Sequence, residues 1–142
     1  MKRSDITPEA LIPHRGRMKL VDGIIEVDDK RAVTSATVTG QWPLFKDKTV
    51  HSLVCIELVA QTAGVSNCWN GINKHGKDFV NRGWLVGIKS AVFHLDAIPL
   101  DARVITRTEN QFEYEGYREI LGTVETGSKL IAEVRLQLMQ SE

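Results

Sequence analysis

The chain has 142 residues, of which 42% are hydrophobic and 25% charged, ordinary values for a globular protein of one domain with a substantial core. Its 18 Lys and Arg balance 18 Asp and Glu, so no bulk attraction to nucleic acid or to a membrane surface is expected. The opening stretch MKRSDITPEALIPHRGRM holds no continuous apolar run, and no signal peptide is expected.

Residues 1–17 are predicted to be an irregular or briefly helical lead-in, because Pro8 and Pro13 limit regular structure. Residues 18–28 read as a strand with Gly23 as a bulge, and Asp28-Asp29-Lys30 as a turn. Residues 31–39 (RAVTSATVT) alternate and are β-branched, which predicts a second strand. A loop with Trp42, Pro43 and Phe45 is expected over 40–50. A helix follows over about 52–70, with Ser52 as N-cap and Gly71 as its stop. Residues 73–82 read as a polar loop. Strands are then expected over 83–94, 102–114, 115–126 and 128–140, separated by turns at 99–101 and 126–128.

The helix decides the architecture. From Ser52 to Trp69 the sequence is SLVCIELVAQTAGVSNCW, and Glu57 is its one charge. Glu57, Gln61 and Asn67 argue against a membrane span, so the helix is expected inside a soluble domain. A helix apolar nearly all round must be wrapped, and an antiparallel sheet curling about it does so. The predicted fold is α+β, a single hot-dog domain over 1–142, with two copies paired to complete the cover. Cys55 and Cys68 would lie about 20 Å apart along one helix. They cannot bridge each other, which suggests a reducing compartment such as the cytoplasm.

A buried carboxylate without a partner is costly, so Glu57 is either paired or used. Three segments in order resemble the hot-dog 3-hydroxyacyl-ACP dehydratases of the FabZ/FabA type. Ile12-Pro13-His14-Arg15 followed by Leu20-Val21-Asp22 is similar to that family's "LPHR…LVD". Ile56-Glu57-Leu58-Val59-Ala60-Gln61-Thr62-Ala63-Gly64 is similar to its helix motif "LEAMAQAAG". Residues 84–93 (WLVGIKSAVF) with Pro99-Leu100-Asp101 are similar to "FLVGIDKARF…PGD". The helix also resembles a diverged branch of predicted hydroxyacyl-ACP dehydratases.

The resemblance implies an acyl thioester, on acyl carrier protein or CoA, in a tunnel beside the helix. It implies a homodimer or larger homo-oligomer with sites at the subunit interface. Water would leave a 3-hydroxyacyl thioester to give a trans-2-enoyl thioester. Glu57 stands at the family's acid position. Ser52 stands where a backbone amide holds the thioester carbonyl, and helix N-termini suit that work. Where the family carries its catalytic histidine, in "GHFPG", this chain has Trp42-Pro43. His51, facing Glu57 of the same or the partner subunit, is therefore the expected base.

Gln61, one turn after Glu57, is placed to orient the carboxylate, and Trp42 to line the acyl tunnel. His14, with Arg15 and Arg17, is expected to pack the lead-in against the sheet. His75 is expected in solvent and His94 at the surface. Lys74, His75, Lys77 and Arg82 form a basic patch that suits an acidic carrier protein or a CoA phosphate. No metal-ligand spacing or nucleotide loop is present, so neither metal nor cofactor is expected. A hot-dog thioesterase, which uses a helix carboxylate without a loop histidine, is the alternative. A non-catalytic acyl-thioester-binding subunit is the third possibility, because fold does not fix function.

Overall fold

The computed structural model describes residues 6–12, 14–76, 79 and 82–141. A short helix α1 (Pro8–Leu11) and a 3₁₀ turn (Gly16–Met18) lead into β1 (Gly23–Val27) and β2 (Arg31–Thr37). The hairpin β3 (Phe45–Lys46) and β4 (Thr49–His51) precedes the long helix α2 (Val54–His75). Then come β5 (Arg82–Phe93), β6 (Ala97–Pro99), β7 (Arg103–Tyr114), β8 (Tyr117–Thr126) and β9 (Lys129–Ser141). Six strands form one sheet in the order β1-β2-β7-β8-β9-β5, and β3, β4 and β6 form a second, smaller one. The chain has the hot-dog architecture: one curved antiparallel sheet around one long helix.

The pattern of side chains explains the wrap. Along β8 buried and half-buried residues alternate, so Ile120 and Val124 point at the helix. They meet Leu58 and Val59 of α2, together with Ile131, Val134 and Leu136 of β9, in one core. The sheet comes close to the helix at Gly122, where a Cβ would lie 2.4 Å from Cγ1 of Val59. Register shifts put an extra residue into β1, β5, β7 and β9, and such bulges bend strands. A second cluster of Leu11, Ile12, Val21, Val65, Cys68 and Ile72 fastens the lead-in to the middle of α2.

Several boundaries differ from the sequence reading, each for a local reason. The helix does not stop at Gly71. It continues to His75 and ends at Gly76, whose φ of 90° suits glycine. Gly71 is small because the Phe79 ring lies against it, 2.1 Å from where a Cβ would sit. The bulge in β1 falls between Ile24 and Glu26, not at Gly23, which opens the strand. The expected loop over 40–50 contains the β3–β4 hairpin, whose Asp47 and Lys48 both take left-handed φ values of 52° and 62°, as a tight hairpin turn needs. Ser52 does not cap α2: Leu53 stands at that position, with no side-chain cap. The turn after β1 is as expected, Asp28 Oδ1 accepting from the amides of Lys30 and Arg31 at 2.8 and 2.7 Å.

Both cysteines are free and buried, and burial pushes the Cys55 thiol up to about 12. A thiol so shielded is a packing group rather than a nucleophile. In the basic patch, Lys77 and the side chain of Arg82 lie outside the described residues. No helix among the described residues is long and apolar enough to cross a membrane.

Candidate active site

The lead-in delivers a histidine to the helix. Thr7 caps α1 through its hydroxyl, which accepts from the Ala10 amide at 3.3 Å. Ile12 is buried and lies against α2 at Gly64. Arg15 then folds back over the turn. Its Nη1 donates to the carbonyls of Ile12 and His14, both at 2.7 Å, and its Nη2 to the Glu9 carbonyl at 2.6 Å. Lys19 pairs with Glu9 across the same turn. The backbone on either side of His14 is thereby held, and His14 Nε2 lies 3.1 Å from Glu57 Oε1.

Glu57 is not sealed in the core. Its side chain is 34% exposed and that of His14 31%, and both open into a cavity of about 250 Å³. Glu57, Ala60, Gly64 and Asn67 line it from one stripe of α2, as their helical spacing dictates. Trp84 and Leu85 of β5 line it together with their cross-strand partners Met139 and Leu138 of β9, and Arg118 stands beside Asn67. Ala60 and Gly64 leave the groove floor low, so an extended chain can lie along the helix.

Gln61 is fully buried and joins this site to the lead-in. Its Nε2 donates to Glu57 Oε1 at 3.0 Å and to the Met18 carbonyl at 2.6 Å. Its Oε1 accepts from the amides of Leu20 at 3.1 Å and Val21 at 3.4 Å. One side chain thus orients the carboxylate and satisfies three backbone groups. Gln61→Leu leaves those groups without partners at about 1–3 kcal/mol each, so a stability loss of about 3 kcal/mol or more is expected in urea unfolding. An unchanged midpoint would show that the amide does not bear this role.

The other residues singled out from sequence stand elsewhere. His51 is exposed on β4, its Nδ1 accepting from the Leu53 amide at 3.1 Å. It borders a shallow groove with Leu44, Phe45 and Lys46 and does not line the Glu57 cavity. Within this chain it is His14, and not His51, that stands beside Glu57; the expected pairing of His51 with Glu57 of a partner subunit concerns a second chain. Ser52 is buried, with its hydroxyl donating to the Leu95 carbonyl at 2.5 Å and its amide to the Asp96 carbonyl at 3.0 Å. That amide is already committed, which corrects the expectation that it holds a thioester carbonyl. Trp42 is buried in the main core beside Val38 and Val54 and does not line the cavity. His94 is at the surface, 3.1 Å from Glu133. His14, Asn67 and Arg118 line this cavity, and the sequence reading placed none of them there. The signal for His14 was present in the Ile12-Pro13-His14-Arg15 stretch itself.

Residues 6–142 match the sequence model of the ApeP-like family, described as ApeP dehydratase. The chain belongs to the ApeP-like dehydratase family. Among curated proteins it is 32% identical over 105 residues to the 3-hydroxyacyl-[acyl-carrier-protein] dehydratase FabZ of Streptococcus pyogenes, covering 70% of this chain and 72% of that one. Among solved structures it matches the dehydratase heterocomplex ApeI:P from Xenorhabdus doucetiae with a TM-score of 0.84 and 20% identity. That match covers 96% of this chain and 92% of the other. A hypothetical thioesterase with coenzyme A from Streptococcus pneumoniae TIGR4 matches with a TM-score of 0.67 and 14% identity, over 83% and 84% of the chains, a likeness of fold alone. The resemblance seen in the sequence, the hot-dog architecture and the hydro-lyase class all stand, and the dehydratase reading takes precedence over the thioesterase alternative.

Proposed function

We propose that this ApeP-like dehydratase removes water from a 3-hydroxyacyl thioester carried by acyl carrier protein, using Glu57 and His14 as its proton-transfer pair. The observation that carries this reading is the 3.1 Å contact between His14 Nε2 and Glu57 Oε1 in the wall of a cavity also lined by Ile12, Ala60, Trp84, Leu85 and Leu138. The neutral imidazole takes the proton next to the thioester carbonyl as the electron pair moves to form the new double bond. The Glu57 carboxyl gives its proton to the departing 3-hydroxyl, which leaves as water. A proton passing from His14 Nε2 to Glu57 Oε1 restores both groups. The last of these hand-overs spans 3.1 Å, within the hydrogen-bond reach that acid–base catalysis requires, and Gln61 holds the carboxylate through its Nε2.

The cavity wall supports assembly with a second hot-dog chain. β5 is an edge strand of the six-stranded sheet, with Trp84, Val86, Ile88 and Val92 half exposed, and a long apolar edge invites pairing. Its Trp84 and Leu85 also border the cavity, so pairing there would complete the site. The relative described as a heterocomplex supports a second dehydratase chain as one such partner, and another copy of this chain serves the same geometry.

Purified protein is expected to hydrate a trans-2-enoyl thioester on acyl carrier protein and to sediment as a dimer, alone or with a second dehydratase chain. Hydrolysis of the thioester in place of hydration, by protein in either state, would overturn the proposal.

A further inference from the structure

The imidazole of the proposed pair stands on a segment that belongs to no regular element. α1 ends at Leu11 and the 3₁₀ turn begins at Gly16, so His14 lies between the two. Ile12 is buried and the Met18 carbonyl is held by Gln61, but His14 is half buried and residues 15–17 are exposed. The N–H that would continue α1 onto the Glu9 carbonyl belongs to position 13, and a proline has none. Gly16 then takes a left-handed φ of 61° and turns the chain.

The ring has little else to orient it. A histidine base is ordinarily aligned by a third group that bonds its other ring nitrogen. Here that nitrogen, His14 Nδ1, is buried and makes no hydrogen bond among the described residues. The direction of Nε2 toward Glu57 therefore depends on where the backbone of residue 14 is held.

Arg15 holds it. Its Nη1 donates to the carbonyls of Ile12 and His14 and its Nη2 to that of Glu9. The Glu9 carbonyl is the one that Pro13 leaves without a helical donor, and the other two flank position 13. A guanidinium presents its N–H groups as a rigid planar fork, so the three carbonyls are fixed relative to one another. Closing the end of α1 would account for the bonds to Glu9 and Ile12. It does not account for the bond to the His14 carbonyl, which lies on the residue that faces Glu57. Arg15 does not itself line the cavity, so any effect on the chemistry passes through His14.

We infer that Arg15 is the positioning residue of this site, holding the His14 ring on Glu57 through the backbone in place of an Nδ1 hydrogen bond. The inference rests on the proposal that His14 is the base.

The test uses Arg15→Met and Arg15→Lys in the intact protein, with its partner chain if it has one. In both, kcat for hydration of an enoyl thioester is expected to fall about 10- to 100-fold, as a displacement of about 1 Å in a reacting group does. Lysine keeps the charge, but its one nitrogen cannot reproduce the fork. KM should stay within about threefold, because the lost interaction is not one of substrate binding. Adding Arg15→Met to His14→Asn should cost nothing further, since an absent ring cannot be misplaced. In imidazole NMR spectra the His14 ring signals, assigned by their loss in His14→Asn, should shift or broaden in both Arg15 variants. If Arg15→Met does not fold, Arg15→Lys decides alone. Ring signals unchanged in a folded variant would overturn the inference. So would parental kcat in either Arg15 variant, or a loss that multiplies with that of His14→Asn, where His14→Asn is itself impaired. Displaced ring signals together with full activity of His14→Asn would instead remove the base from the proposed function and leave the positioning role in place.

Discussion

Replacing Glu57 with Gln is expected to lower kcat for hydration of an enoyl thioester by about 10²–10⁴-fold, the range spanned by general acid–base groups. The substitution nearly preserves shape. It keeps an oxygen that can accept from Gln61 Nε2, which now donates to the carboxylate at 3.0 Å, so the buried clamp on residues 18–21 survives. What it removes is the exchangeable proton. KM should change little, because in the proposed complex the acyl chain packs on Ala60, Gly64 and the β5 and β9 side chains that line the cavity rather than on the carboxylate. Steady-state kinetics with unfolding midpoints measured in parallel would separate the two effects. Full activity in a folded Glu57→Gln protein would remove this residue from the chemistry.

His14→Asn is expected to cost about 100-fold or more in kcat, whereas His51→Ala should leave kcat within about threefold. Both residues are histidines near the helix, and sequence distance favours His51. Geometry reverses the order. His14 is held by the Arg15 hydrogen bonds around it and reaches Glu57; His51 spends a ring nitrogen on the Leu53 amide and faces another groove. His51→Ala removes that hydrogen bond, so a modest stability loss of about 1 kcal/mol is expected. If His51→Ala abolished turnover while His14→Asn did not, the base would belong to His51, reaching the carboxylate of a second chain.

The architecture was legible because its main signals are local. An eighteen-residue run with one charge demands a wrapping sheet, and alternating β-branched strands supply one. The five long strands after the lead-in were placed within a few residues, since burial periodicity survives on each strand. The hairpin β3–β4 escaped notice because its turn uses Asp47 and Lys48 at positive φ, where asparagine or glycine is the usual sign. The helix end was misplaced because Gly71 serves a close contact with Phe79 rather than a reversal of the chain.

The site was only half legible. Glu57 and Gln61 share one helix, so their proximity follows from a spacing of four residues. His14 meets Glu57 across a sequence gap of more than forty residues, brought there by the burial of the lead-in against α2 and by the hydrogen bonds of Gln61 to residues 18–21. The missing loop histidine directed attention to His51, the nearest histidine in sequence, and no rule of spacing contradicts that choice. Asn67 read as one of several polar residues on a buried helix. Its partner Arg118 arrives from β8, a pairing with no local signature. The amide of Ser52 seemed free at a helix start, but β-bridge geometry gives it to Asp96.

The measurement that reaches furthest is a double-mutant cycle on kcat, comparing Glu57→Gln, His14→Asn and the double variant in the same folded assembly. Two groups that return one proton across their contact act as a unit, and such losses are far from additive. The double variant should therefore be no slower than the worse single variant, within about threefold. Losses that multiply would mean that carboxylate and imidazole work separately, and would contradict a shared-proton pair at the head of the acyl groove.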